Sequence, residues 1–287
     1  MADISTRGYK HPDVLVSTDW VASHLTDSSV RIVESNEDML LYPAGHIPGA
    51  HYVFWKAACW HETDREFISP EAMAKQLGAL GIGPDMTLVL YGDPVQYGTY
   101  AFWALTMAGH RNLKVLDGSR KRWLAEGRPM SQDVPRHAPV AYPTPAGTST
   151  MRVGRRNVRD NLGRRDRFLL DVRAPEEYTG KRVIEYSAAF DHGAERFGRI
   201  PGAVHLYYRE LLNEDDSYKS PDELRRIFGK VGIAPAKFND IVCYCRLSHR
   251  ATFAWFAMTH ILGLDNVKIY DGSWTEWGSI VGYPIEK

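Results

Sequence analysis

Residues 240–262 read DIVCYCRLSHRATFAWFAMTHIL. Ile241-Val-Cys-Tyr244 is a short apolar run of the kind that forms a buried strand, and it stops at Cys245. Arg246-Leu-Ser-His-Arg250 follows, and from Ala251 to Leu262 the chain is apolar again over a helical length. A buried strand that breaks straight into a helix is the building unit of a parallel α/β sheet. The same stretch suggests a chemistry. A cysteine on the turn before a helix N-terminus faces backbone N–H groups and the positive end of the helix dipole. Two arginines on that turn favour the thiolate and attract anions, which suits a nucleophile acting on an anionic substrate.

Working outward, the chain repeats itself with a shift of about 150 residues. His46-Ile-Pro-Gly-Ala50 meets Arg199-Ile-Pro-Gly-Ala203, and Ser69-Pro-Glu71 meets Ser220-Pro-Asp222. Leu88-Val-Leu-Tyr91 meets Ile241-Val-Cys-Tyr244, and Asp117-Gly-Ser119 meets Asp271-Gly-Ser273, with Trp123 and Trp277 just beyond. Matches in this order point to a duplicated domain, residues 10–130 and 151–287. Between them, residues 131–150 carry prolines at 135, 139, 143 and 145, which block regular hydrogen-bonded structure and favour an extended surface linker.

Strands are expected at Arg31–Glu34, Thr87–Tyr91 and Leu113–Leu116, then at Phe168–Asp171, Ile241–Tyr244 and Val267–Tyr270. They lack polar alternation and are separated by helical segments, so each domain is expected to be a mainly parallel sheet with helices on both faces. Such sheets place their sites at the carboxyl ends of strands, where Cys245 falls. The repeat aligns Cys245 with Gly92, Arg246 with Asp93 and Arg250 with Tyr97. One half carries the thiol and both cations; the other carries none of them.

Composition bounds the partners. The 287 residues are 44% hydrophobic and 24% charged, with 35 basic against 35 acidic side chains, so no nucleic-acid or membrane-surface partner is implied. No signal-peptide core or membrane-spanning run is legible, and three cysteines (Cys59, Cys243, Cys245) fit a reducing compartment, so the cytoplasm is expected.

The two HIPGA/RIPGA segments, the two DGS-plus-Trp segments and the six-residue cysteine loop together resemble the tandem-rhodanese sulfurtransferases, over residues 10–285. ESNEDMLLYPAGHIPGA, DGSRKRW and CRLSHRA are most similar to the bacterial thiosulfate sulfurtransferase branch. The resemblance implies two rhodanese-like domains, the N-terminal one lacking the catalytic cysteine. It also implies that Cys245 takes a sulfane sulfur as a persulfide and passes it to a thiophilic acceptor such as cyanide, a thiol or a protein, without a cofactor. Phosphatases of this fold separate cysteine and arginine by five residues; four separate Cys245 from Arg250, which argues against phosphate. Arg246 and Arg250 favour thiosulfate as donor, whereas Ser248, at a position where glycine is commoner, keeps 3-mercaptopyruvate open. A non-enzymatic persulfide carrier that docks a partner protein is the alternative from another class.

Each candidate has a plainer reading. Cys245 is the nucleophile on its electropositive surroundings, whereas Cys243 sits inside the strand and reads as packing. Arg250 is expected to point into the loop as an anion ligand, and Arg246 either steers substrate or makes an exposed ion pair. His249 binds substrate or lines the rim, with nothing to separate the two. Lys181 and Arg182 follow Glu-Glu-Tyr-Thr-Gly; spacing alone makes them a solvated pair, and the resemblance makes one of them a ligand for the donor's anionic end. Asp171, at a strand end, is expected to support the site's floor through Arg173 or the backbone. A metal site is not implied, because no second ligand cluster accompanies Cys243, Cys245 and His249. Asp117 and Asp271 read as turn residues.

Overall fold

The computed structural model describes residues 4–287. It separates into an N-terminal unit (residues 4–7, His11–Ser149 and Glu214–Tyr218) and a C-terminal unit (Gly8–Lys10, Thr150–Asn213 and Lys219–Lys287). Two short exchanges thus depart from a single cut along the chain. Residues 214–218 join the N-terminal unit because the Asp117 carboxylate accepts the Tyr218 N–H (2.9 Å) and Arg122 faces Asp215 at 3.6 Å.

The N-terminal unit contains β1 (Leu15–Val16), β2 (Val30–Glu34), β3 (His51–Tyr52), β4 (Thr87–Tyr91) and β5 (Leu113–Leu116), in the spatial order β1-β5-β4-β2-β3. The C-terminal unit contains β6 (Arg152–Val153), β7 (Arg167–Asp171), β8 (Val204–His205), β9 (Asp240–Tyr244) and β10 (Val267–Tyr270), in the order β6-β10-β9-β7-β8. The two orders are the same permutation, and all the strand pairs are parallel. The fold is α/β, a five-stranded parallel sheet in each unit with helices on both faces. The six longer strands lie within a residue of their expected bounds. The two-residue edge strands β1, β3, β6 and β8 are too short to leave a periodic signal.

Helix starts follow local chemistry. Ser69 and Ser220 cap helices Pro70–Ala79 and Pro221–Lys230 through their hydroxyls, each with proline at the first helical position. At Ser220 the Glu223 side chain reaches back to the cap N–H (3.1 Å), closing a capping box. After β9 the helix runs His249–Phe256, two residues earlier than expected, and then widens to a π-type turn over Ala257–Ile261.

The cores repeat as well. Tyr42 Oη donates to Ala50 O (2.7 Å) as Tyr178 Oη does to Ala203 O (2.9 Å). Trp123 Nε1 donates to Pro129 O (2.9 Å) as Trp277 Nε1 does to Pro284 O (2.7 Å). His46 is buried against Tyr42 (ring centroids 3.7 Å apart), and the Trp55 ring meets those of Trp60, Tyr97 and Tyr100.

Candidate active site

β9 delivers Cys245 at its carboxyl end, and His249–Phe256 carries the chain away. The turn between them is fixed from below by the segment that follows β10. Ser273 Oγ accepts the Cys245 N–H (3.2 Å) and donates to Tyr270 O (2.9 Å). The carbonyls of Cys245 and Arg246 accept from the N–H groups of Trp274 (2.9 Å) and Thr275 (3.0 Å). With those two carbonyls drawn towards Trp274 and Thr275, the interior of the loop is left to N–H groups and the helix N-terminus, an anion-favouring arrangement. The sequence reading treated Asp271-Gly-Ser273 as turn chemistry alone and missed this role of Ser273. The Ser119/Ser273 match at both copies was the available signal.

Ser248 stands at φ 66°, in the left-handed region, and its Oγ donates to Leu247 O (2.7 Å). That conformation explains why glycine suits the position, and why a serine there carries strain of about 1 kcal/mol. His249 is buried at the first position of the helix.

Arg250 is buried, and its guanidinium makes a two-pronged bond to Glu177, Nη1 to Oε2 at 2.6 Å and Nη2 to Oε1 at 2.9 Å. Glu185 approaches the same Nη1 at 3.8 Å. Burial pulls the Arg250 pKa down, but the Glu177 carboxylate overrides it and holds the guanidinium well above its ordinary range. Arg250 is therefore permanently charged yet faced by two carboxylates. Sequence spacing gave no hint of Glu177, which lies 73 residues away on the short helix Pro175–Tyr178.

Arg246 contrasts with it. This residue is half-buried, packs beside Gly193, and has no ion-pair partner among the described residues. Lys181 is exposed. Arg182 is engaged within its own loop, with Asp191 at 3.8 Å, Ala188 O at 3.4 Å and the Tyr186 ring at 5.2 Å. Arg246, Ser248, His249 and Arg250 thus share the Cys245 turn, while Lys181 and Arg182 lie on the connection from β7 to β8.

Asp171 lies under the site. It accepts from Arg173 (Nη2 to Oδ2 2.6 Å) and from Tyr244 Oη (2.6 Å), and Tyr244 Oη in turn accepts the Ile200 N–H (3.2 Å). Burial and the neighbouring Asp171 push the Tyr244 hydroxyl far above the usual phenol range, so it stays a donor to the carboxylate. The N-terminal unit repeats the motif, with Tyr91 Oη donating to Glu34 and accepting the Ile47 N–H (3.0 Å).

Cys245 itself is only 1% exposed. Cys243 is buried in β9, and burial, followed by the neighbouring Cys245, pushes its thiol strongly up, so it remains protonated. Burial likewise pushes the Cys59 thiol up to about 12.

The molecule is thus a duplicated parallel α/β fold with a cysteine on the strand-to-helix turn of one copy. The family model described as "Rhodanese-like domain" matches residues 17–126 and 155–280, and the chain belongs to the rhodanese sulfurtransferase family. It is 43% identical over 98% of its length to "Sulfur carrier protein TtuD" of Thermus thermophilus, covering 99% of that protein. It is 39% identical to "Putative thiosulfate sulfurtransferase" of Saccharopolyspora erythraea (96% of each chain). It is 40% identical to "Putative thiosulfate sulfurtransferase SseA" of Mycobacterium tuberculosis (96% of this chain, 92% of that one). Among solved structures, the anaerobic ergothioneine biosynthesis enzyme from Chlorobium limicola shares the fold, with a TM-score of 0.81 and 24% identity over 97% of this chain and 71% of that one.

Proposed function

We propose that the protein moves a sulfane sulfur from thiosulfate to a thiophilic acceptor through a persulfide on Cys245. The observation that carries this reading is the Cys245 turn, whose carbonyls are tied to Trp274 and Thr275 and whose cation Arg246 lacks a carboxylate partner among the described residues. Thiosulfate docks with its sulfonate end at Arg246, with the exposed Lys181 as the candidate for a second cation. The Cys245 thiolate attacks the outer sulfur, the sulfur–sulfur bond of the donor breaks, and sulfite leaves with the electron pair. Loop N–H groups and the helix dipole hold the resulting persulfide anion. An acceptor such as cyanide then attacks the outer sulfur and the Cys245 thiolate departs, giving thiocyanate. Arg250 and His249 shape the loop. Arg250 acts through its charge rather than as a free ligand, since Glu177 already occupies its fork.

A second reading is a persulfide carrier for a protein acceptor. The two carboxylates facing Arg250 favour it, because they weaken capture of a small dianion from solution. 3-Mercaptopyruvate as donor stays with the first reading as a variant of the same chemistry. Three free thiols fit a reducing compartment such as the cytoplasm, and no helix among the described residues is long and apolar enough to cross a membrane. Specificity constants for thiosulfate and 3-mercaptopyruvate with cyanide as acceptor test the proposal. It expects thiosulfate to be preferred, and sulfur loading of Cys245 with negligible turnover would favour the carrier instead.

A further inference from the structure

A pocket of about 360 Å³ opens in the C-terminal unit at the amino ends of β7 and β9, the end of the sheet away from Cys245. Leu162, Phe168, Leu169 and Val242 give it an apolar floor, and Arg164 and Arg165 stand at its rim. The N-terminal unit has the matching pocket, about 370 Å³, with Leu25, Arg31, Ile32 and Gly49 where the C-terminal unit has Leu162, Phe168, Leu169 and Gly202. In the N-terminal pocket Pro135 and His137, from the proline-rich segment, form part of the wall.

That segment runs on along its unit as an extended track. His137 and Ala138 lie against Gly81, Val140 N–H donates to Gly78 O (3.0 Å), and Thr148 N–H donates to Met107 O (2.8 Å). In the C-terminal unit this chain occupies both ends of the equivalent track. Glu286 pairs with Arg199 as Ser131 pairs with His46, and Lys10 N–H donates to Ile261 O (2.9 Å) as Thr148 does to Met107 O. The middle of the track is open at Gly229, whereas at Gly232, the counterpart of Gly81, Lys237 Nζ stands 3.7 Å from where a Cβ would lie. Where a Cβ on Gly78 would meet Val140 O at 2.7 Å, its counterpart Gly229 has nothing within 4 Å.

We infer that this open stretch is a docking groove for an extended, proline-containing, acidic segment of a partner protein. The form of the occupant is read from the chain's own segment in the matching groove. A proline-containing extended strand has no internal hydrogen bonds to give up and needs only an apolar slot and a few backbone partners. Its charge is read from the rim. The N-terminal rim carries Asp27 and Ser28. The C-terminal rim carries Arg164 and Arg165 at the corresponding positions. Arg164 is paired with Asp166, whereas Arg165 is exposed and has no ion-pair partner among the described residues. The complementary charge is therefore negative.

The test uses the full chain and a fluorescein-labelled peptide of residues 132–144 carrying Arg136→Glu, followed by anisotropy at low salt. Saturable binding is expected, weakened at least about fivefold by Arg165→Glu and by Gly229→Leu, with the unmodified peptide binding less tightly. Both substitutions fall on exposed positions, and leucine is the better helix former at 229, so folding and sulfur transfer should be unchanged. Absence of saturable binding, or equal binding to the wild type and both variants, would overturn the inference. So would a concentration-dependent dimer that Gly229→Leu abolishes, since the groove would then take a second copy.

Discussion

The two strand-to-helix turns, residues 92–97 and 245–250, rest on the same scaffold and differ in what they hold. In each, a serine from an Asp-Gly-Ser segment accepts the first N–H of the turn, Ser119 for Gly92 (2.9 Å) and Ser273 for Cys245 (3.2 Å). A tyrosine at the strand end bridges a carboxylate and the isoleucine N–H of the Ile-Pro-Gly segment in each. The divergence begins at the cap residue. Val95 is right-handed helical at φ −50°, whereas Ser248 is left-handed at φ 66°. A Cβ on Gly92 would fall against the Ser35 carbonyl oxygen and 2.9 Å from the Tyr97 Cβ, so the N-terminal turn has closed over the place where a thiol would stand. A duplicated fold can keep its scaffold in both copies while one copy gives up the space that a side chain at the head of the turn needs.

The largest effect is expected at the ion pair that the N-terminal copy lacks. Leu41 and Tyr97 stand where the C-terminal unit has Glu177 and Arg250. Glu177→Gln leaves a buried guanidinium short of its counter-charge and should cost about 3–5 kcal/mol in chemical denaturation. The double change Glu177→Leu with Arg250→Tyr should recover most of that while slowing sulfur uptake; a double variant that loads sulfur at the wild-type rate would remove Arg250 from the chemistry. Next comes Gly92→Cys. It should destabilise the protein by about 3 kcal/mol through overpacking against backbone, and should add no second reactive thiol by thiol titration.

Ser273→Ala should cost about 1–3 kcal/mol and slow persulfide formation, because the Cys245 N–H loses its acceptor. Ser119→Ala should cost a similar amount and leave the rate unchanged, and equal rates for the two variants would show that the serines serve folding only. The smallest effect is expected for Ser248→Gly, a gain of up to about 1 kcal/mol in stability from relief of the left-handed strain. A loss of stability there would mean that the Ser248 hydroxyl bond to Leu247 O outweighs the strain.

The parts of this comparison that were legible in the sequence are those with a local signature. Apolar runs marked the six longer strands, and the repeat marked the duplicated architecture. The turn from Cys245 to Arg250 was legible because all its residues are contiguous. What escaped was held by distant partners. Glu177 on Arg250 and Ser273 on Cys245 are 73 and 28 residues away along the chain, and neither breaks a local pattern. The early start of the helix at His249 escaped because Ser248 adopts a left-handed conformation that its residue type does not announce.

One of the two turns is expected to carry sulfur and the other none. Intact mass after incubation with thiosulfate and removal of excess donor tests it most directly, on the wild type, Cys245→Ala and the double variant Cys245→Ala with Gly92→Cys. The expected result is a gain of one sulfur on the wild type and none on either variant. A sulfur gained by Cys245→Ala, or by the double variant at position 92, would contradict the account.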